Sequence, residues 1–109
     1  MIRSVTAQQA RELIASGEVE IVDVREPSEW STGHLPNARL LPLEQLRSSP
    51  TQGLPRDGVL FVCAAGVRSQ TAARVAAGLG LQKVYSLNGG TRGWLKNGFS
   101  LVEDVAVAV

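Results

Sequence analysis

The sequence holds one cysteine, Cys63, and one histidine, His34, among 109 residues. A lone cysteine cannot close a disulfide within the chain, so nothing here calls for an oxidising compartment. One cysteine and one histidine also fall short of the four-ligand set that structural zinc requires, and no metal is expected. An excess of one charge is missing as well: 11 basic residues stand against 10 acidic ones. Broad nucleic-acid binding needs a clustered basic face that neutralises phosphates, and membrane adhesion needs a polybasic patch, so neither nucleic acid nor membrane is expected as a partner. No apolar run approaches the roughly 20 residues of a membrane span. The opening Met1-Ile2-Arg3-Ser4-Val5-Thr6 has no apolar h-region of a secretory signal. The expectation is a soluble, cytoplasmic domain.

Hydrophobic residues make up 44% of the chain, enough for one packed core at this length. Thr6 with Gln9 three residues on reads as a capping box, Ala10, Leu13 and Ile14 follow at helical spacing, and Gly17 fits a helix stop. Val19 to Val24 is a β-branched run, apolar on both faces except Asp23, as in a buried parallel strand. Glu26-Pro27-Ser28-Glu29-Trp30 enters a short helix at Pro27 or Ser28. Gly33-His34-Leu35-Pro36-Asn37-Ala38 is a loop, because Pro36 disfavours helix at Leu35. A short strand over Arg39 to Pro42 and a weak helix over Leu43 to Arg47 follow.

Residues 48–58, rich in Ser, Pro, Gly and Asp, read as an exposed connection. Val59-Leu60-Phe61-Val62 has the unbroken apolar character of a buried strand. Ser69 begins a helix with Ala72, Val75, Ala76 and Leu79 on one face, ended by Gly80. Lys83 to Leu87 is a further strand, Asn88-Gly89-Gly90 a tight turn, and a short helix surrounds Trp94 and ends near Gly98. Strands alternate with helices throughout, which makes the fold class α/β with a small, mainly parallel sheet.

The informative segment is Val62-Cys63-Ala64-Ala65-Gly66-Val67-Arg68-Ser69. A cysteine stands where a buried strand ends, and a helix begins a few residues later. In open α/β sheets that end of a strand is where ligands bind. A helix start offers free N–H groups and a positive dipole end, and both favour a thiolate. Small residues at 64, 65 and 66 let the backbone curl around the sulfur, and Gly66 can take a positive φ. The expected result is a ring of N–H donors around Cys63. The competing interpretation is an inert buried cysteine, since free cysteine is among the most buried residue types.

The same segment resembles the active-site loop of the rhodanese family, Cys-x-x-Gly-x-Arg. Three more stretches resemble that family in order. Ile21-Val22-Asp23-Val24-Arg25-Glu26 is similar to its first core strand and turn. Gly33 to Ala38 is similar to its Gly-His-Ile-Pro-Gly-Ala loop, with Asn37 in place of a glycine. Leu87-Asn88-Gly89-Gly90 with Gly93-Trp94 is similar to its final motif. The resemblance implies a rhodanese-like domain over residues 5–100, its sheet flanked by helices on both faces. Residues 101–109 are left as a tail, an edge strand or disordered.

The resemblance further implies a sulfurtransferase that needs no cofactor. The thiolate of Cys63 would take the outer sulfur of a donor such as thiosulfate and pass it, through a persulfide, to a thiophilic acceptor such as cyanide or a thiol. Its partners would be a small sulfur donor or a protein persulfide, and a thiol or protein sulfur acceptor. Ala64, Ala65, Gly66, Val67, Arg68 and Ser69 would form the substrate-binding loop. Arg68 would either hold an anionic substrate or brace the loop against a carboxylate, and bracing is preferred. Asp23, Arg25 and His34 are expected to be structural, and Trp30 and Trp94 to pack in the core or at its rim.

Four residues separate Cys63 from Arg68, whereas related cysteine phosphatases and arsenate reductases use five. That places phosphatase or arsenate reductase chemistry last. A non-catalytic, binding or regulatory module is the second alternative. Many active members of the family carry a basic or polar residue after the cysteine, while Ala64 and Ala65 are apolar. This weakens the expected attraction for thiosulfate by roughly 1 kcal/mol at most per missing exposed charge. A persulfide then becomes the alternative donor.

Overall fold

The computed structural model of the protein describes residues 2–48 and 56–103. Most of the connection expected over 48–58, and residues 104–109 of the tail, lie outside them. Five strands form one sheet in the order β1-β5-β4-β2-β3, with every neighbouring pair parallel. The strands are β1 (Ile2–Val5), β2 (Glu20–Asp23), β3 (Arg39–Leu40), β4 (Val59–Val62) and β5 (Val84–Leu87). The helices are α1 (Ala7–Ser16), α2 (Pro27–Trp30), α3 (Leu43–Ser48), α4 (Val67–Gly78) and α5 (Gly90–Lys96). Among the described residues no helix is long and apolar enough to cross a membrane.

The α/β expectation holds, with helices on both faces. One layer packs Leu46 of α3 and Ala72, Ala73 and Ala76 of α4 against Val22, Phe61, Val84 and Cys63. The other packs Ala10 of α1 and Trp94 of α5 against Ile21, Leu60, Val62 and Leu87. The central strand β4 is buried at all four positions, which is why its sequence shows no alternation.

Local signals set the element ends. The Thr6 hydroxyl accepts the Gln9 N–H at 3.1 Å, and the Gln9 side chain accepts the Thr6 N–H at 3.0 Å. Gly17, at φ 76°, closes α1 in the left-handed conformation.

Three features differ from the sequence expectation. Strand β1 has no counterpart there, because Arg3 and Ser4 are exposed at the sheet edge and four residues carry no periodic pattern. Helix α4 starts at Val67 rather than Ser69, so the turn around Cys63 runs directly into its first turn. Leu79, expected on the apolar face, is the residue after α4 and is 42% exposed. Ala72 and Ala76 lie on the buried face as expected, and Ser69 and Ala73 complete it, small residues that let the helix axis lie close to the sheet.

From β2 the chain leads outward to the edge strand β3, while from β4 it leads to β5 on the opposite side. The carboxyl ends of β2 and β4 therefore flank a topological switch point, where open α/β sheets form their crevice. Asp23 and Cys63 stand at or just beyond those two ends.

Candidate active site

Cys63 follows the last residue of β4, and the chain turns over its sulfur. The N–H groups of Gly66 and Ser69 donate to Sγ at 3.1 and 3.3 Å. The Ser69 hydroxyl oxygen lies 3.6 Å from the sulfur. Gly66 reaches this arrangement at φ 102°, a conformation that a residue with a Cβ resists. The carbonyls of Cys63 and Ala64 are turned away, accepting the N–H groups of Thr91 and Arg92 at 2.9 and 3.1 Å. The start of α5 thus holds the loop from behind. Gly90 makes this possible, since a Cβ there would overlap the Cys63 carbonyl and the Ala64 backbone.

Burial pushes the Cys63 thiol up. The Ser69 hydroxyl and the N–H groups of Ser69, Gly66 and Ala65 outweigh it and bring the thiol below its ordinary value. The residue itself is only 1% exposed. Above it the loop presents Ala65 and Val67 to solvent, with Val67 74% exposed. The outer surface of the loop is therefore apolar, and its inner surface is a cup of amides.

Arg68 points to α2. Its Nη1 and Nη2 donate to Oε1 and Oε2 of Glu29 at 2.7 and 2.8 Å. Those bonds, strongest among the influences on Glu29, hold its carboxyl at about 2, and the same pair raises Arg68. Glu29 also accepts the Glu26 N–H at 3.1 Å, closing a capping box on α2. Sequence reasoning did not single out Glu29, because an acid in the first turn of a short helix is ordinary there. Only the fold brings it to Arg68.

Asp23 and Arg25 form a buried pair beside the loop. Arg25 Nη2 donates to Asp23 Oδ2 at 2.8 Å and to the Gly33 carbonyl at 2.7 Å. Its Nη1 donates to the Glu29 carbonyl at 3.3 Å, and its backbone N–H to Asp23 Oδ1 at 3.0 Å. The end of β2, α2 and the segment after α2 are tied together through this one guanidinium. The His34 ring stacks on Trp30 with centroids 3.5 Å apart, and its Nδ1 lies 3.0 Å from the Leu35 carbonyl. The His34 backbone forms an isolated antiparallel bridge with Val102, the one part of the 101–109 tail seen to pair among the described residues. Trp94 is buried, with its indole N–H donating to the Ser100 carbonyl at 2.9 Å.

The structure thus gathers Cys63, the loop 64–69 and Arg68 with Glu29 at one end of the sheet. Asp23, Arg25 and His34 form the neighbouring bracket. A second residue that sequence reasoning passed over is Ser86, whose hydroxyl lies 2.8 Å from that of Ser69.

Residues 6–97 match the family model described as a rhodanese-like domain. The thiosulfate sulfurtransferase GlpE of Ectopseudomonas mendocina is 36% identical over 92 residues, which span 84% of each chain. Among solved structures, a rhodanese-related protein from Thermoplasma volcanium aligns with a TM-score of 0.82 at 33% identity, covering 94% of this chain and 99% of that one. The human single-domain sulfurtransferase aligns with a TM-score of 0.75 at 29% identity, covering 85% and 95% of the two chains.

Proposed function

This chain belongs to the rhodanese-like family, and from that premise we propose that it is a sulfurtransferase in which Cys63 carries the sulfur as a persulfide. The observation that carries this reading is the pair of N–H groups, from Gly66 and Ser69, aimed at Sγ while the carbonyls of Cys63 and Ala64 face the other way. Such a cup favours an anion on sulfur, both before reaction and after a second sulfur is added.

The chemistry balances without a base or cofactor. The Cys63 thiolate attacks the sulfane sulfur of a donor, and an S–S bond forms as the donor's bond to that sulfur breaks. With thiosulfate, sulfite leaves with the bonding pair and Cys63 becomes a persulfide anion. An acceptor thiolate or cyanide then attacks the terminal sulfur, and the Cys63 thiolate departs. No proton transfer is required once the thiol is ionised.

The donor we favour is a persulfide rather than thiosulfate. Arg68 is the one cation in the loop, and both its terminal nitrogens are held by Glu29. The exposed loop residues Ala65 and Val67 offer no charge to a dianion. The four-residue span from Cys63 to Arg68 supports attack on sulfur over phosphate or arsenate.

Incubation with thiosulfate and, separately, with a low-molecular-weight persulfide, followed by intact mass measurement, tests the reading. One added sulfur on the wild type and none on Cys63→Ser is the expected result. Failure of every sulfane donor to add mass would overturn it and leave a non-catalytic binding module. The near-complete burial of Cys63 is the observation favouring that second reading.

A further inference from the structure

Ser86 lies on β5 opposite Phe61 of β4, on the sheet face that α4 covers, and is 1% exposed. A hydroxyl buried among apolar side chains is costly unless hydrogen bonded. Its bond is to Ser69 Oγ, 2.8 Å away. Ser69 is fully buried, and its oxygen lies 3.2 Å from the Gly66 carbonyl and 3.6 Å from Cys63 Sγ. Two hydroxyls and one sulfur therefore form a sealed chain beneath the loop.

Each hydroxyl has one proton and two lone pairs. With Cys63 protonated, its S–H faces Ser69 Oγ, and Ser69 gives its own proton to the Gly66 carbonyl. With Cys63 ionised, the sulfur can only accept, and Ser69 must turn its single proton from that carbonyl to Sγ. The Ser69 oxygen then loses the S–H donor. Ser86, which must already donate to Ser69 Oγ because the single Ser69 proton is engaged elsewhere, remains as its donor, and a hydroxyl that accepts a hydrogen bond donates a stronger one.

We propose that Ser86 is a positioning residue that, acting through Ser69, holds the Ser69 hydroxyl in the orientation that donates to an anionic Cys63 sulfur. This rests on the reading of Cys63 as a thiolate nucleophile. Alanine at 86 would fill nearly the same space, so packing alone gives no reason for the oxygen.

The test is the pH dependence of Cys63 alkylation by iodoacetamide in the wild type, Ser86→Ala, Ser69→Ala and the double variant. Thermal melts of each identify any variant that does not fold. Ser86→Ala should move the midpoint of the alkylation profile upward by about half a pH unit, and should move it no further once Ser69 is alanine. An unchanged midpoint in Ser86→Ala, or an equal shift with and without the Ser69 hydroxyl, would overturn the proposal. Should Ser86→Ala not fold, Ser86→Thr, which keeps the hydroxyl, must retain the wild-type midpoint, and a raised one counts against the proposal. Sulfur loading is read separately by mass. A protein that takes up no sulfur yet shows the Ser86 shift would sink the sulfurtransferase assignment and leave this one standing.

Discussion

Arg68 and Glu29, 39 residues apart in sequence, meet in a two-pronged ion pair that joins the first turn of α4 to α2. The pair is partly exposed, at 36% and 33% for the two side chains, so its direct contribution to stability is small, about 0.5–1 kcal/mol. Its larger effect is on the loop, because Arg68 is the last residue before Ser69 and its N–H group. Glu29→Gln should lower stability by no more than about 1 kcal/mol in urea unfolding, while slowing sulfur loading of Cys63 several-fold. Loss of loading with no stability change would still fit. A large stability loss with loading intact would not.

The same carboxylate sets an acid dependence. Its value falls from 4.5 to about 2 on folding, so the stabilisation is complete above the unfolded value and is lost as pH falls from 4.5 towards 2. Urea unfolding at pH 6, 4 and 3 should show the wild type losing stability faster than Glu29→Gln, with the two curves converging at the acid end. Parallel curves would mean that the pair does not form in solution.

Gly90 and Gly17 both adopt positive φ, 58° and 76°, yet they differ in what surrounds them. A Cβ at Gly17 meets nothing within 4 Å, whereas one at Gly90 collides with the Cys63 and Ala64 backbone. Gly17→Ala should cost about 1 kcal/mol, the ordinary charge for a left-handed alanine. Gly90→Ala should cost more than about 3 kcal/mol, or displace the loop and abolish sulfur loading in whatever folds. Equal melting temperatures for the two variants would contradict the packing of α5 against the loop.

The contrast between these residues shows what was legible in the chain. The strand β4, the cysteine at its end and Gly66 are neighbours in sequence, so the amide cup could be anticipated from local pattern alone. So could the Thr6–Gln9 capping box and the Gly17 stop. Glu29, Ser86 and the edge strand β1 could not. Each gains its meaning from a partner supplied by the parallel crossovers, and nothing in a window of a few residues distinguishes Glu29 from Glu26, or Ser86 from any other serine in a strand. The burial of Cys63 was one of two alternatives that local pattern left open, since the same small residues that let the loop curl also let it close over the sulfur.

Asp23 and Arg25 are both nearly fully buried, and Arg25 also serves two backbone carbonyls. Removing one member leaves a charge without its counterpart in a low-dielectric site. Arg25→Met should therefore cost about 3–5 kcal/mol, and Asp23→Leu a comparable amount. The double variant should cost less than the sum of the two, because no orphaned charge remains. Strict additivity in urea unfolding would show that the two residues act independently.

Cys63 supplies the last dependence, on the alkaline side. Its thiol is brought below its ordinary value by the Ser69 hydroxyl and the surrounding amides, against the opposing effect of burial. The unfolded chain then binds more protons than the native one between the two values, so stability rises with pH across that interval. The contribution is present in full above the unfolded value near 8.5 and is lost as pH falls through the lower native value. Cys63→Ser lacks the titrating group. The stability difference between wild type and Cys63→Ser, measured by urea unfolding under reducing conditions, should therefore grow between neutral pH and pH 9, with a slope of at most about 1.4 kcal/mol per pH unit. A cysteine merely enclosed by apolar side chains has the opposite sign: its thiol is raised, and the wild type would lose stability relative to serine as pH climbs past 8.5. The direction of that one slope separates a sulfur held as an anion from a sulfur that is only buried.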